Sequence, residues 1–216
     1  MKISIIDYGL NNIFSVSGAI KKIGYKPNII TDAKELKNSD KIILPGVGAF
    51  NAGIKALKRR KFDITIIEEV KKGVPILGIC LGFQMFFSES SEYGTFKGLN
   101  LLNGKVKSLR QCKNFNGQKI PNNGWRKLLL KSNCSIFKQY NDDNFLYFIH
   151  SYYIEPSENE IVTSQCIYEG MKINASVQKK NIFGVQFHPE KSGDIGLNIL
   201  KNFIEQWVMM CANIFA

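Results

Sequence analysis

Metal-binding side chains are scarce in this chain. It has only two histidines, His150 and His188, and five widely separated cysteines. No CxxC pair occurs, so the spacing supports neither a zinc knuckle nor a disulfide framework. No apolar run is long enough to cross a bilayer. The first residues, MKISIIDYG, hold one lysine and a short apolar run interrupted by Asp7. That pattern lacks the apolar stretch and cleavage site of a secretory leader, so a cytoplasmic protein is expected. Acidic residues are outnumbered, 18 against 29 basic ones, giving a formal net charge of +11. The lysines are spread over most of the chain, however, and no nucleic-acid module is recognisable. The longest basic cluster, Lys58, Arg59, Arg60 and Lys61, suits the end of a helix, where cations meet the negative pole of the dipole. Neither a nucleic-acid partner nor a membrane is expected, and no metal or cofactor is called for.

What the chain does have is ordinary globular composition, with 44% apolar and 22% charged residues. Its 216 residues are expected to form one domain spanning positions 1–216. The first half alternates strand and helix signals. Lys2 to Asp7 reads as a strand. Asn12 could cap a helix with apolar positions Ile13, Val16, Ile20 and Ile23, which Gly24 would end. Pro27 to Thr31 and Lys41 to Leu44 read as strands, and residues 52 to 72 as one or two helices stopped by Gly73. Pro75 to Ile79 is wholly apolar, as the buried centre of a parallel sheet requires. Leu81 to Phe87 reads as helix. The second half reads as short strands, among them 145–149, 161–167, 173–177 and 182–187. A closing amphipathic helix is expected over Gly193 to Val208, with Trp207 on its apolar face. The fold expected is α/β: a mostly parallel central sheet flanked by helices, with additional antiparallel strands in the second half.

Three segments carry chemistry. In PILGICLGFQ, residues 75–84, an apolar strand runs through Gly78-Ile79-Cys80-Leu81-Gly82 into a helix. This is the nucleophile-elbow pattern with cysteine in place of serine, its glycines leaving room for a tight turn. A helix starting at Leu81 would aim its amides and positive pole at the Cys80 sulfur and favour the thiolate. In FGVQFHPEKS, residues 183–192, a strand ends at His188-Pro189-Glu190. Two residues apart in extended chain, His188 and Glu190 leave on the same side, with Pro189 holding the segment extended. A carboxylate so placed fixes an imidazole tautomer, and the set Cys80, His188 and Glu190 supplies nucleophile, base and orienter. The third segment is LPGVGAF, residues 44–50, whose glycines free backbone amides to face a ligand. With the Leu81 amide, such a loop could form an oxyanion hole.

In this order the segments closely resemble the class I glutamine amidotransferases, nearest to the glutaminase subunits of imidazole glycerol phosphate synthase. The likeness runs nearly end to end: IIDYG, LPGVGAF, PILGICLGFQ, GWR at residues 124–126, YFIHSYY at 147–153 and VQFHPEKSG. The resemblance implies that Cys80 attacks the side-chain amide of L-glutamine and forms a γ-glutamyl thioester. His188 would move the protons and Glu190 would hold it. Gly46, Val47, Gly48 and Leu81 would stabilise the oxyanion, and Gln84, Glu92, Ser151 and Tyr152 would hold the glutamine. His150 would be structural. The partner implied is a cyclase/synthase subunit of (β/α)8 type, joined as a heterodimer that channels ammonia. Asn11, Asn12, Trp125, Arg126, Tyr147 and Lys191 would meet it. Little activity is implied without that partner, since docking rearranges the oxyanion strand at Pro45 to Gly48.

Two segments depart from the family pattern. Relatives read DYGxGN near the start, where this chain has Asn11 in place of the glycine. They read PHMGWN where this chain has Pro121-Asn122-Asn123-Gly124-Trp125-Arg126. Arginine for asparagine replaces a neutral amide with a permanent cation. Three readings therefore stand: ammonia supply to a cyclase in histidine biosynthesis, ammonia supply for amidating a bacterial surface-polysaccharide sugar, and a non-catalytic regulatory subunit.

Overall fold

The structure, a computed structural model, describes residues 1–10, 12–141 and 143–206. Asn11, Trp207, Val208 and Cys211 lie outside the described residues.

The first half builds β1 (Ile3–Ile6), α1 (Ile13–Lys22), β2 (Pro27–Ile30), β3 (Lys41–Leu44), α2 (Phe50–Arg59), α3 (Phe62–Lys71), β4 (Ile76–Ile79) and α4 (Leu81–Gln84). The second half is dominated by strands. These are β5 (Phe87–Ser90), β6 (Phe96–Lys97), β7 (Leu102–Ser108), β8 (Asn122–Arg126), β9 (Leu129–Leu130), β10 (Leu146–His150) and β11 (Tyr152–Pro156). Then come β12 (Val162–Tyr168), β13 (Met171–Lys179), β14 (Ile182–Val185) and α5 (Gly193–Glu205).

The main sheet has eight strands in the order β2-β1-β3-β4-β14-β13-β12-β9. From β2 to β14 the neighbours run parallel, and from β14 to β9 they run antiparallel. Helices cover both faces, which is why β1, β3 and β4 are buried along their whole length, whereas the edge strand β2 is partly exposed. Side chains alternate between two cores. Ile3, Ile5, Ile43, Leu77 and Ile79 join residues of α1 and α5. Ile6, Ile42, Leu44 and Ile76 join residues of α2 and α3. A four-stranded sheet, β11-β7-β5-β6, and the antiparallel pair β10-β8 complete the structure.

Four sequence expectations change. The helix expected over Leu81 to Phe87 is a single turn, and the chain becomes strand β5 from Phe87. The incoming segment explains this, because the amides of Leu99 and Leu101 take the carbonyls of Met85 and Phe86. A continuing helix would need those carbonyls for itself. Pro189 does not hold an extended segment but begins a 3-10 turn over residues 189–191, and proline suits that first position. Asn12 stands at the N-cap of α1 without capping a backbone amide. Its side-chain oxygen accepts the Ser15 hydroxyl instead, at 2.9 Å. Strand β11 had no counterpart in the sequence reading; it pairs antiparallel with β7.

Candidate active site

The site lies where two neighbouring parallel strands end. β4 and β14 are in register, Ile79 opposite Val185. The residues just beyond them therefore emerge side by side at the carboxyl edge of the sheet, where open α/β sheets bind ligands. Cys80 follows Ile79 directly, and its amide donates to the Val185 carbonyl at 2.8 Å. His188 sits three residues beyond Val185, its amide donating to the Tyr147 carbonyl at 2.9 Å.

Cys80 holds a backbone conformation that side chains avoid, φ 53° and ψ −110°. The turn is forced by crowding around it. A Cβ on Gly82 would overlap the Leu44 carbonyl oxygen. The Cys80 side chain is almost wholly buried, with the Gln186 amide nitrogen 3.7 Å from its sulfur. Nδ1 of His188 lies 2.8 Å from Oε1 of Glu190, and those two side chains are 3% and 1% exposed. In the neutral ring, with Nδ1–H donating to the carboxylate, Nε2 carries the lone pair. Nε2 has no hydrogen-bond partner among the described residues. Burial pushes the imidazole toward the neutral form, but the sulfur of Cys80 and the carboxylate of Glu190 outweigh it and raise its pKa above the ordinary value.

A cavity of about 380 Å³ opens beside this group. Cys80, His188, Val47, Gly48, Leu81, Gln84, Glu92, Ser151, Tyr152 and Lys191 all line it. Gln84 is fixed by two bonds from its amide nitrogen, to the Tyr152 carbonyl and to Oε1 of Gln186, each 3.0 Å. Glu92 accepts the amide of Phe50, the first residue of α2, at 2.7 Å. Desolvation raises the pKa of Glu92, and that amide partly offsets it. His150 is held as a neutral imidazole on both sides. Nδ1 meets the Tyr152 carbonyl at 2.8 Å and Nε2 meets the Asn122 amide nitrogen at 3.0 Å. Burial lowers its pKa to about 4.

The Leu81 and Val47 amides, expected to form an oxyanion hole, both donate to carbonyls in this structure. The Leu81 amide donates to the Gly46 carbonyl at 3.4 Å, and the Val47 amide donates to the Leu10 carbonyl at 3.2 Å. Of the residues expected at a partner interface, Trp125 and Tyr147 are cross-strand neighbours on β8 and β10, with ring centroids 5.8 Å apart. Lys191 reaches over the Tyr147 ring at 5.9 Å. Asn12 is half-buried at the start of α1. Arg126, expected beside Trp125, turns the other way. Alternation along β8 sends it to the opposite face, where its guanidinium lies 4.9 Å from the Tyr168 ring centroid.

Sequence reading missed Gln186 and Tyr8. Gln186 is fully buried and bridges Gln84 and the Cys80 sulfur. Its signal was available, because it stands two residues before His188 in the same segment and alternation puts it on the same side. Tyr8 is fully buried too, and its hydroxyl has no hydrogen-bond partner among the described residues. Those residues also contain no cluster of three or more His, Cys, Asp or Glu that could hold a metal ion, and no helix long and apolar enough to cross a membrane.

Known proteins resemble this chain over most of its length. The family model for class-I glutamine amidotransferases matches residues 4–207. The imidazole glycerol phosphate synthase subunit HisH of Chlorobaculum tepidum is 43% identical over 201 residues, spanning 93% of this chain and 98% of that protein. The HisH subunit of Caldanaerobacter subterraneus is 44% identical over 203 residues, spanning 94% of this chain and 97% of that protein. Among solved structures, PurLQS from Thermotoga maritima superposes with a TM-score of 0.71 at 20% identity, covering 94% of this chain and 97% of that one. That likeness concerns the fold alone. With the family pattern running over nearly its whole length, the chain belongs to the class-I glutamine amidotransferases.

Proposed function

We propose that the chain is the glutaminase subunit of an imidazole glycerol phosphate synthase, acting in the cytoplasm as one glutamine amidotransferase domain. It hydrolyses L-glutamine and passes the ammonia to a (β/α)8 cyclase subunit. The observation that carries this reading is the His188 imidazole, clamped by Glu190 at Nδ1, lining the same cavity as Cys80. The Cys80 thiolate attacks the side-chain carbonyl of glutamine. His188, protonated by taking the thiol proton, then gives that proton to the departing nitrogen, which leaves as ammonia. Water attacks the resulting thioester with His188 as base, releasing glutamate and restoring the thiol. Gln84, Glu92 and the Ser151-Tyr152 backbone hold the substrate, the Glu92 carboxylate facing its ammonium group. The intact triad speaks against a non-catalytic subunit. The HisH relatives, at more than 40% identity over nearly the full chain, favour the histidine-route acceptor over a polysaccharide sugar.

The loop from Gly46 to Gly48 is not set to receive an oxyanion while the Leu81 and Val47 amides are bound to carbonyls. Turning over the Gly46–Val47 peptide releases Leu81 N–H and aims Val47 N–H at the substrate. Docking of the cyclase through Asn12, Trp125, Tyr147 and Lys191, with the neighbouring Asn11, drives that turn in this reading. The test is glutamate release by the purified chain, alone and with the purified cyclase subunit of its source. Release that the cyclase raises at least about a hundredfold is expected, the loss that follows removal of one oxyanion donor. No release with the cyclase present would refute the glutaminase reading.

A further inference from the structure

Tyr8 is an uncommitted hydroxyl against the strand that must move. It is fully buried at the end of β1 and its oxygen has no partner among the described residues. A buried hydroxyl without a partner is costly, so its persistence calls for a reason. The same oxygen stands so close to Gly46 that a Cβ there would overlap it. Gly46 therefore has to be glycine in part because Tyr8 occupies the space its side chain would fill.

The Gly46–Val47 peptide has two hydrogen-bonding ends that point opposite ways, since the trans peptide is planar. At present its carbonyl accepts from Leu81 and its N–H donates to Leu10. When it turns over, the carbonyl loses the Leu81 amide and swings toward the Leu10 carbonyl, a contact between like poles. A buried carbonyl must find another donor. We infer that the Tyr8 hydroxyl is that donor, a positioning residue that accepts no substrate contact but catches the Gly46 carbonyl once the oxyanion hole is formed. In the resting chain its hydroxyl has no partner among the described residues; in the active arrangement it is paired. The unpaired state thus raises the free energy of the resting arrangement relative to the active one. Burial, with the Cys80 sulfur adding to it, raises the phenol pKa, so the group stays an O–H donor throughout the working pH range.

This inference rests on the glutaminase reading and deepens it. The test is Tyr8→Phe, which keeps the ring and removes only the hydroxyl, assayed for glutamate release in the complex with the cyclase subunit. The expected result is a kcat about tenfold lower with KM for glutamine within twofold, because the lost contact forms only with the active loop. The melting temperature of the free variant should equal or exceed that of the wild type, because an unpaired buried hydroxyl has been removed. An unchanged kcat would overturn the inference, as would a lower melting temperature with kcat and KM both impaired, which would mark the hydroxyl as part of the resting fold. The wild-type complex serves as the separate control. If it releases no glutamate, the glutaminase reading fails before the variant is considered.

Discussion

Nδ1 of His188 and Oε1 of Glu190 are 2.8 Å apart in a setting where neither side chain reaches solvent, and the carboxylate is the only described group at that ring nitrogen. The imidazole therefore has one favourable neutral tautomer, with its lone pair on Nε2. Glu190→Gln keeps the shape but can present an NH2 to Nδ1 and stabilise the other tautomer. The change should lower kcat for glutamate release by at least about a hundredfold, with KM little altered, as for other triads that lose their orienting carboxylate. Steady-state kinetics of the complex checks this; a loss under threefold would show that Glu190 does not orient the base.

The elbow depends on the absence of a side chain at Gly82. A methyl group there would meet the Leu44 carbonyl oxygen, a backbone atom of the central strand β3 that cannot step aside. Gly82→Ala should destabilise the chain by about 2–3 kcal/mol. Urea unfolding of the two proteins, compared at one pH, measures it. An unchanged midpoint would mean that the turn adjusts more freely than its packing indicates.

The tight turn at Cys80 and the contact between His188 and Glu190 were legible in the sequence because local pattern encodes them. An apolar strand, flanking glycines and a two-residue His-to-Glu spacing need no knowledge of distant contacts. The length of α4 was not legible, because Leu99 and Leu101 end it by taking the carbonyls of Met85 and Phe86. The same holds for Glu92. Its match to the family placed it near substrate, but its bond to the Phe50 amide at the start of α2 joins residues 42 apart. Arg126 shows the converse. Its position next to Trp125 invited a shared surface, whereas strand alternation separates the two.

His150 gives the fold a signature on the acid side. Its folded pKa is lowered to about 4 from an ordinary 6.5, because burial disfavours the charged ring. Unfolded chain therefore binds the proton first as pH falls. The stability that depends on neutral His150 is complete above pH 6.5, declines as pH falls from 6.5 toward 4, and declines no further below about 4. The shift corresponds to about 3 kcal/mol. Unfolding free energies measured from pH 8 to pH 4 should show this slope in the wild type and a shallower one in His150→Gln. Parallel slopes in the two proteins would assign the acid sensitivity to other groups.

Trp125 and Arg126 make opposite predictions for docking. Trp125 is 49% exposed and its ring is braced edge-on by Tyr147, so it offers a rigid apolar surface. Large aromatic residues of this kind dominate interface energetics once a partner desolvates them. Trp125→Ala should weaken binding of the cyclase subunit about thirtyfold, which corresponds to about 2 kcal/mol. Arg126 spends its guanidinium on the Trp125 carbonyl and the Tyr168 ring, on the far side of β8. Arg126→Ala should leave the affinity within threefold and instead lower the melting temperature through lost packing. Isothermal titration of each variant with the cyclase subunit separates the two. If Arg126→Ala weakened binding as much as Trp125→Ala, the docking face would have to include the opposite side of β8, and the orientation proposed for the partner would be wrong.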